Sequence, residues 1–416
     1  MLAGIAVGSG GAPVGSGDPG TVAVHFIHTG AGTSVLVVGP TGETLLYDTA
    51  AHGGEDQVLA YLREHDVGTV DHLVASHAHG DHIAGHPRVI EGGVGTAYDS
   101  GIDRGTPAYR AYLDALSAHD VPREQLRAGD SIPLDGVEVT VLSPPDRALD
   151  PESTNVYNEN SLVLRIEFGE TSVLLTGDAG EAAERYLVKK HADAVDATVL
   201  QVSKEGSRDG TTGAFLDVVD PAAVVVGGTQ GDPDRPHESV LDRFDERDVP
   251  TYWNAVHGDT VVRTDGEQVT VATQTDAPTD PGDLRAAAPI SPDVDRDPAI
   301  TSTVLDGDGQ GDAPIETAVE TPPPTQTPTQ TTTPMPTEAP TPTETVVPTG
   351  TAIPTETATP TETATEPSPE GSRSTVTVSA GSPSPPTGPR FGVPANVPLV
   401  GVVVVGLVAV LFAARR

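Results

Sequence analysis

One short segment constrains the fold more strongly than any other part of the chain. It contains three histidines and one aspartate: His77, His79, Asp81 and His82. The segment follows residues 70–75, whose mostly apolar side chains predict a largely buried strand. A strand that ends in a tight, glycine-containing loop can direct all four side chains to one point. The alternative is a polar surface loop that is rich in histidine by chance, which we disfavour because this spacing directly after a strand rarely arises by accident.

The residue types of this loop predict a zinc site. Neutral imidazole nitrogen and carboxylate oxygen are the ligands that Zn²⁺ takes when cysteine is absent, and this chain has no cysteine. Four ligands on one loop are too many for a single tetrahedral ion that keeps an open position. We therefore predict two zinc ions, with one ion as the alternative. His77 and His79 are expected on the first ion. Asp81 and His82 are expected on the second.

The charge of the chain limits its partners. Its 416 residues include 60 Asp and Glu but only 23 Lys and Arg, for a formal net charge of -37. Such a surface repels itself at low salt and is tolerated where salt screens it, so we predict adaptation to high salt. An acidic interaction tail is the alternative, but the acidic residues are spread along the chain. We expect no strong electrostatic binding of nucleic acid, although a local contact through a metal-bound phosphate stays open.

Alternating strand and helix patterns predict an α/β domain over residues 21–275. Residues 55–65 and 181–190 have apolar side chains at helical spacing, whereas 171–176 and 197–202 are apolar runs typical of strands. Two groups of strands, each with helices outside it, predict a four-layer αβ/βα sandwich.

Further polar residues fall at predicted strand ends. Asp48 ends a hairpin, where it can orient a metal-bound histidine or cap a turn. Asp178 follows Gly177 at the end of another strand and can bridge two cations. Asn160 belongs to a polar segment before a strand, Asn-Glu-Asn-Ser, which adds amide and carboxylate groups. We expect Asn160 to bind the metal or to contact one of its ligands.

The regions flanking this domain differ from it in composition. We assign residues 1–20 to a leader or signal remnant, 276–320 to an acidic flexible linker, 321–390 to a disordered Thr/Pro-rich stalk and 391–416 to a transmembrane anchor. Residues 397–414 are apolar and uncharged, which as a helix is just long enough to span a membrane. Arg415 and Arg416 follow and predict a cytoplasmic C-terminus. A single-pass cell-membrane protein with its folded domain outside is therefore expected.

Together these motifs resemble the metallo-β-lactamase superfamily, and most closely the hydrolase domain of the ComEC competence proteins. The resemblance runs from about residue 26 to residue 271 and includes Leu-Leu-Tyr-Asp-Thr at 45–49, Asn-Ser-Leu-Val-Leu at 160–164, Leu-Leu-Thr-Gly-Asp at 174–178 and Arg-Thr-Asp-Gly at 263–266. It implies metal ligation by His77, His79, Asp81 and His82, with Asp178 between the ions. It also implies that Asp81 and Asp178 are catalytic, with Asp81 accepting a proton from the attacking water. The tail resembles the anchoring tails of archaeal surface proteins.

Two segments depart from the family pattern. The family has His-His-Gly-Ser where this chain has Lys204, Glu205 and then Gly-Ser. Glu205 is expected to supply a carboxylate in place of imidazole, or the second metal site is weak or empty. Alternatively, Lys204 pairs with Asp178. The glycine-rich turn of the family is also changed, which leaves His28 and His257 as spare imidazoles. Either can stand in as a metal ligand, but a surface position is the favoured expectation for each.

Two functions remain open from the sequence. The first is a surface-anchored, metal-dependent hydrolase that uses a metal-activated water, on phosphodiesters or nucleic acid or on a small ester, lactone or amide. The second is a non-catalytic surface module with a degenerate metal site, which Lys204 and Glu205 favour. The complete histidine loop and Asp178 favour the enzyme. A β-lactamase proper is weaker, because no residue selects that substrate.

Overall fold

The computed structural model describes residues 20–103, 105–228, 234–292 and, for the backbone alone, 301–306. The predicted leader up to residue 19, the rest of the linker, the stalk and the anchor lie outside the described residues. Within these ranges we find no helix whose length and hydrophobicity match the width of a bilayer.

The described residues form fifteen strands. They are β1 (Val22–Phe26), β2 (Val35–Val38), β3 (Thr44–Tyr47), β4 (Val70–Val74), β5 (Val94–Asp99), β6 (Arg123–Gln125), β7 (Glu138–Ser143), β8 (Val163–Phe168), β9 (Thr171–Leu175), β10 (Val199–Gln201), β11 (Ala223–Val226), β12 (Thr251–Trp253), β13 (Thr260–Thr264), β14 (Gln268–Thr273) and β15 (Thr301–Asp306).

Nine α-helices connect these strands in the described part of the chain. They are α1 (Glu55–Glu64), α2 (Gly80–Ile83), α3 (His86–Gly92), α4 (Pro107–Ala118), α5 (Glu181–Lys190), α6 (Ala192–Val195), α7 (Gly213–Val219), α8 (Glu238–Asp245) and α9 (Asn254–His257). Short 3₁₀ turns occur at Asn158–Asn160, Ser203–Gly206 and Leu284–Ala286.

The strands form two sheets that face each other. The nine-stranded sheet has the order β15-β14-β13-β1-β2-β3-β4-β5-β6, and the six-stranded sheet has the order β12-β11-β10-β9-β8-β7. Side chains such as Val24, Leu45 and Leu175 fill the space between the sheets. Because most central strands are covered on both faces, their sequences are nearly continuous runs of apolar residues.

Helices cover the outer face of each sheet. Residues of α1, α3 and α4 pack on the nine-stranded sheet around Leu73, and residues of α5, α7 and α8 pack on the six-stranded sheet around Leu200. The molecule is therefore a mixed α/β sandwich with the layer order predicted from the sequence. The segment after the histidine loop forms two short helices, α2 and α3. At Gly85 between them, an added Cβ would lie 2.7 Å from the Thr49 carbonyl oxygen, so the chain packs tightly there.

Ordered structure continues past residue 275, where we expected a flexible linker. Leu284 is completely buried among the side chains under α8, and the Ile290 N–H donates to the Ala255 carbonyl at 2.9 Å. Strand β15 then pairs antiparallel with every residue of β14. The linker prediction is thus wrong for residues 276–292 and 301–306. Isolated apolar residues among Asp, Pro and Ala show no periodic pattern, so only their tertiary contacts reveal this extension.

Candidate metal centre

The ends of β3 and β4 place a buried aspartate against the histidine loop. The two strands are parallel neighbours, so the residues that follow them meet at one edge of the sheet. Asp48 is fully buried, with Oδ1 accepting the Ser76 N–H at 2.8 Å and Oδ2 accepting the Ser76 hydroxyl at 2.6 Å. Its Oδ2 also lies 2.7 Å from His82 Nδ1. Asp48 therefore holds the start of the loop and directs His82 Nε2 away from itself.

Three side chains of the site converge closely enough to hold one ion. Ligand atoms of His77, His79 and Asp178 all lie within 4.8 Å of one another. His77 Nε2 is 3.8 Å from Asp178 Oδ2, while its Nδ1 contacts the Ser76 hydroxyl at 3.0 Å. Among the described residues, the buried His77 Nε2 has no hydrogen-bond partner. This unsatisfied nitrogen lies within the group of close donors, so the residues present fit a bound cation.

Asp178 reaches this position because glycine precedes it. Gly177 has a φ of +52°, and an added Cβ would lie 2.8 Å from the Tyr47 hydroxyl. The Asp178 carboxylate accepts from Asn158 Nδ2 at 3.0 Å, and its Oδ1 lies 3.3 Å from His82 Nε2. The carboxylate thus faces two imidazoles and one amide.

Burial and charge together determine the protonation of the cluster. Burial opposes ionisation of Asp178, but the adjacent His82 outweighs it and holds the pKa of Asp178 well below its usual range. Burial likewise disfavours charge on His82, yet the carboxylates of Asp178 and Asp48 raise its pKa well above the ordinary value. Burial lowers the pKa of His77, where the charge of His82 adds to the effect, and burial also lowers the pKa of His79. His77 and His79 are therefore neutral, the form that binds metal.

Asp81 lies at the rim of this cluster. It is half-buried in the first turn of α2, and its charge acts to raise the pKa of His79. An added Cβ on Gly32 would lie 1.9 Å from the Asp81 carbonyl oxygen, so the loop after β1 packs directly on this turn. Among the described residues, the group of mutually close donors contains neither Asp81 nor His82.

Asn160 does not face the centre. Its side chain is fully buried, donates to the carbonyls of Leu149 and Val156, and accepts the Leu149 N–H at 2.7 Å. The prediction that it contacts the metal or its ligands is wrong, because these three bonds fix a neighbouring loop instead. Asn158, two residues earlier, is the amide that reaches Asp178.

Lys204 and Glu205 have partners other than those expected. Lys204 Nζ donates to Asp209 Oδ2 at 2.8 Å, so the predicted salt bridge with Asp178 is replaced by one with Asp209. Glu205 Oε2 accepts from Arg235 at 2.8 Å and does not join the close donor group. The prediction that Glu205 supplies a metal ligand is therefore wrong in this structure. Both residues have left-handed backbone conformations, which direct their side chains apart.

The two spare histidines are buried rather than exposed. His28 donates its N–H to Asp259 Oδ1, and its Nε2 lies 3.3 Å from the Ile290 carbonyl. His257 Nδ1 accepts the Trp253 N–H at 3.0 Å, and burial lowers its pKa. Neither belongs to the close donor group among the described residues. The surface prediction fails because the segment after residue 275 contributes to covering this region.

Two residues of the site were not singled out from the sequence. Ser76 links Asp48 to His77, and Tyr157 places its ring edge against His79 with centroids 5.1 Å apart. Ser76 directly precedes the histidine loop, so its position in the sequence could have indicated that it belongs to the site. Tyr157 comes from a distant loop, and nothing in the sequence around it indicates a contact with His79.

An αβ/βα sandwich with a histidine–aspartate donor group at the ends of its strands defines a class of metal-binding hydrolase-like folds. Residues 28–229 match the model of the metallo-beta-lactamase superfamily. The chain therefore contains a domain of that superfamily, as its motifs predicted.

Three curated proteins show where the chain stands within this superfamily. Recombination protein 2 of Haemophilus influenzae is 29% identical over 227 residues, which cover 53% of this chain and 26% of that protein. ComE operon protein 3 of Bacillus subtilis is 28% identical over 242 residues, covering 52% and 30%. Competence protein ComA of Neisseria gonorrhoeae is 29% identical over 245 residues, covering 58% and 31%. The predicted likeness to competence proteins is thus confirmed, although the matches span less than a third of each relative.

Proposed function

We propose that this chain is a metal-dependent hydrolase that uses an activated water to cleave phosphodiesters. The observation that carries the proposal is the convergence of His77, His79 and Asp178, whose ligand atoms all lie within 4.8 Å of one another. Within the described part of the chain, His77 Nε2 has no hydrogen-bond partner and faces the Asp178 carboxylate across 3.8 Å, so it is free to bind an ion. The proposal further assigns His77, His79 and Asp178 as ligands of zinc.

A bound zinc ion supplies Lewis acidity, which makes water a nucleophile near neutral pH. The protein supplies the arrangement around it. Asp178 stays ionised at neutral pH because its pKa is low, so it can attract the cation. Asp48 orients His82 through Nδ1 and leaves Nε2 directed at Asp178. We assign proton acceptance to Asp81, whose carboxylate lies at the half-buried rim where water can reach it.

We propose phosphodiesters as the substrate class of this chain. Two of the relatives are named for recombination and for competence, so nucleic acid is the first substrate to test. The net charge of -37 opposes long-range attraction of such a polyanion, and high salt, which we propose as the working condition, screens this repulsion. We also propose that residues 397–414 anchor the chain in the cell membrane, with the hydrolase domain outside.

A non-catalytic surface module is the second candidate. The pairing of Lys204 with Asp209 and of Glu205 with Arg235 favours it, because neither side chain then contributes a metal ligand. In this alternative the fold and a single ion persist without turnover.

The test is hydrolysis of bis-p-nitrophenyl phosphate and of single-stranded DNA by the zinc-loaded protein in high salt. We expect activity that a chelator removes and zinc restores, and a loss of at least about a hundredfold in Asp178→Asn and His77→Ala, as is usual when a catalytic metal site is disrupted. His119→Ala, at an exposed histidine after α4, is the matched control and should retain full activity. Zinc-loaded protein that cleaves neither substrate, or retained activity in Asp178→Asn, contradicts the proposal.

A further inference from the structure

Lys204 lies beside Asp178 because the strands before them are parallel neighbours. In the six-stranded sheet, β10 pairs with β9 so that Leu200 is opposite Leu174. Continuing this register past both strand ends brings Lys204 level with Asp178. The Lys204 N–H donates to the Gly177 carbonyl at 3.2 Å, which joins the two loops at this point. Position 204 therefore borders the metal centre.

The backbone at this position has an unusual conformation. Lys204 (φ 52°, ψ 37°) and Glu205 (φ 52°, ψ 30°) are both left-handed, and Gly206 follows with φ 80°. Left-handed geometry is disfavoured for residues that carry a Cβ, so two in succession require support from the surrounding structure. This backbone conformation directs the Lys204 side chain inward, where it is only 6% exposed. It turns Glu205 toward Arg235.

The ammonium of Lys204 forms the inner end of a salt bridge that reaches the surface. Its Nζ lies 2.8 Å from Asp209 Oδ2, and the Asp209 side chain is 51% exposed. The positive charge also acts on the metal centre, where it contributes to lowering the pKa of Asp178 and, after burial, that of His77. The Lys204 ammonium thus gives the centre a permanent positive charge that belongs to the protein.

An ammonium in this position disfavours a second metal ion. Asp178 and His82, which face each other at 3.3 Å, are two side chains that such an ion would use. A further donor is needed from the neighbouring loop, and that loop presents Lys204. A lysine ammonium has three protons and no lone pair, so it does not ligate a metal. Its charge also repels a dication nearby.

We infer that the centre binds a single divalent ion and that the Lys204 ammonium takes the place of a second cation beside Asp178. This inference rests on the proposed metal site but not on hydrolysis.

Metal stoichiometry tests the inference directly. The full-length protein is dialysed to equilibrium with zinc in high salt, and zinc per chain is measured by mass spectrometry of the metal. We expect one ion in the wild type and two in Lys204→His, which replaces the ammonium with an imidazole donor and releases the Asp209 carboxylate. Lys204→Met removes the charge without adding a donor and should still bind one. Lys189→His, at an exposed lysine of α5, is the matched control and should also bind one.

Manganese loading gives a second readout, and its wild-type part does not depend on whether any variant folds. Wild-type protein should show the electron paramagnetic resonance spectrum of an isolated Mn²⁺ ion, and folded Lys204→His the spectrum of a coupled pair. Two ions, or a coupled pair, in the wild type would overturn the inference. A folded Lys204→His that binds only one ion would also overturn it. In both cases the hydrolase proposal stands. One ion without hydrolysis overturns only the hydrolase proposal, and no ion overturns both.

Discussion

A chain of buried hydrogen bonds prepares the histidines for metal. Asp48 accepts from Ser76 and faces His82, and His82 in turn faces Asp178. The pairing through Nδ1 fixes the orientation of the His82 ring and leaves Nε2 directed at Asp178, and the Ser76 hydroxyl also contacts His77 Nδ1 at 3.0 Å. Asp48 therefore affects the centre without belonging to the close donor group.

Substitution Asp48→Asn should weaken zinc binding about 10- to 100-fold, the range usual for loss of a carboxylate that supports a metal-binding histidine. The amide retains the shape of the side chain but lacks its charge, so it holds Ser76, and through Ser76 the ring of His77, less firmly. Competition with a chromophoric chelator measures the change. Asp71→Asn serves as the control, because Asp71 accepts from Thr44 between the same two strands but away from the donors. Equal zinc affinity in Asp48→Asn and wild type would show that Asp48 has no part in the site.

A buried glutamate couples two helices that cover the six-stranded sheet. Glu184 in α5 accepts the backbone N–H groups of Thr211 and Thr212 at the beginning of α7. Burial raises its pKa from 4.5 to about 7, although these hydrogen bonds favour the charged form. The folded state therefore binds the proton more tightly than the unfolded state does.

The contribution of this proton to the free energy of unfolding is fully present below pH 4.5 and is lost as the pH rises through about 7. At about 1.4 kcal/mol per pH unit, the loss across this interval is at most about 3 kcal/mol. Glu184→Gln cannot titrate, so its free energy of unfolding should lack this part of the pH dependence. Denaturant titrations followed by fluorescence of the single tryptophan, Trp253, measure the difference at both ends of the interval. Glu181→Gln, exposed on the same helix, should keep the wild-type slope, and a Glu184→Gln slope equal to wild type would refute this account.

At the scale of the whole molecule, the folded domain is longer than its sequence pattern indicates. The segment after β14 buries Leu284 against the helical side of the six-stranded sheet, and β15 then extends the nine-stranded sheet. One connection thus contacts both halves of the sandwich. We expect this segment to unfold together with the rest of the domain, because Leu284 is part of the same hydrophobic core.

Leu284→Ala should lower the free energy of unfolding by about 2–5 kcal/mol, the usual range for removing a fully buried leucine side chain. Thermal and denaturant unfolding in high salt measure this loss. The neighbouring exposed Asp283→Ala should change stability by no more than about 0.5 kcal/mol. A flexible linker at this position, as the composition suggests, would instead leave both variants as stable as the wild type.

Much of the sandwich could be predicted from local sequence patterns. The helix predicted for residues 181–190 forms as Glu181–Lys190, and the strand before the histidine loop forms as Val70–Val74. Such elements follow from the spacing of apolar side chains, which decides locally which face of a helix or strand is buried. The histidine loop was recognisable for the same reason, because its donors are close in sequence and follow a strand directly.

Local patterns were enough to predict many of the helices and strands, the superfamily and the donors that lie within one loop. The pairing of Lys204 with Asp209 and of Glu205 with Arg235, and the contact of Asn158 rather than Asn160 with Asp178, became known from the folded structure. The folded structure also decided that the domain continues past residue 275. The physical reason is that the partner of a polar side chain depends on backbone conformation and on residues distant in sequence, whereas spacing along the chain specifies only near neighbours.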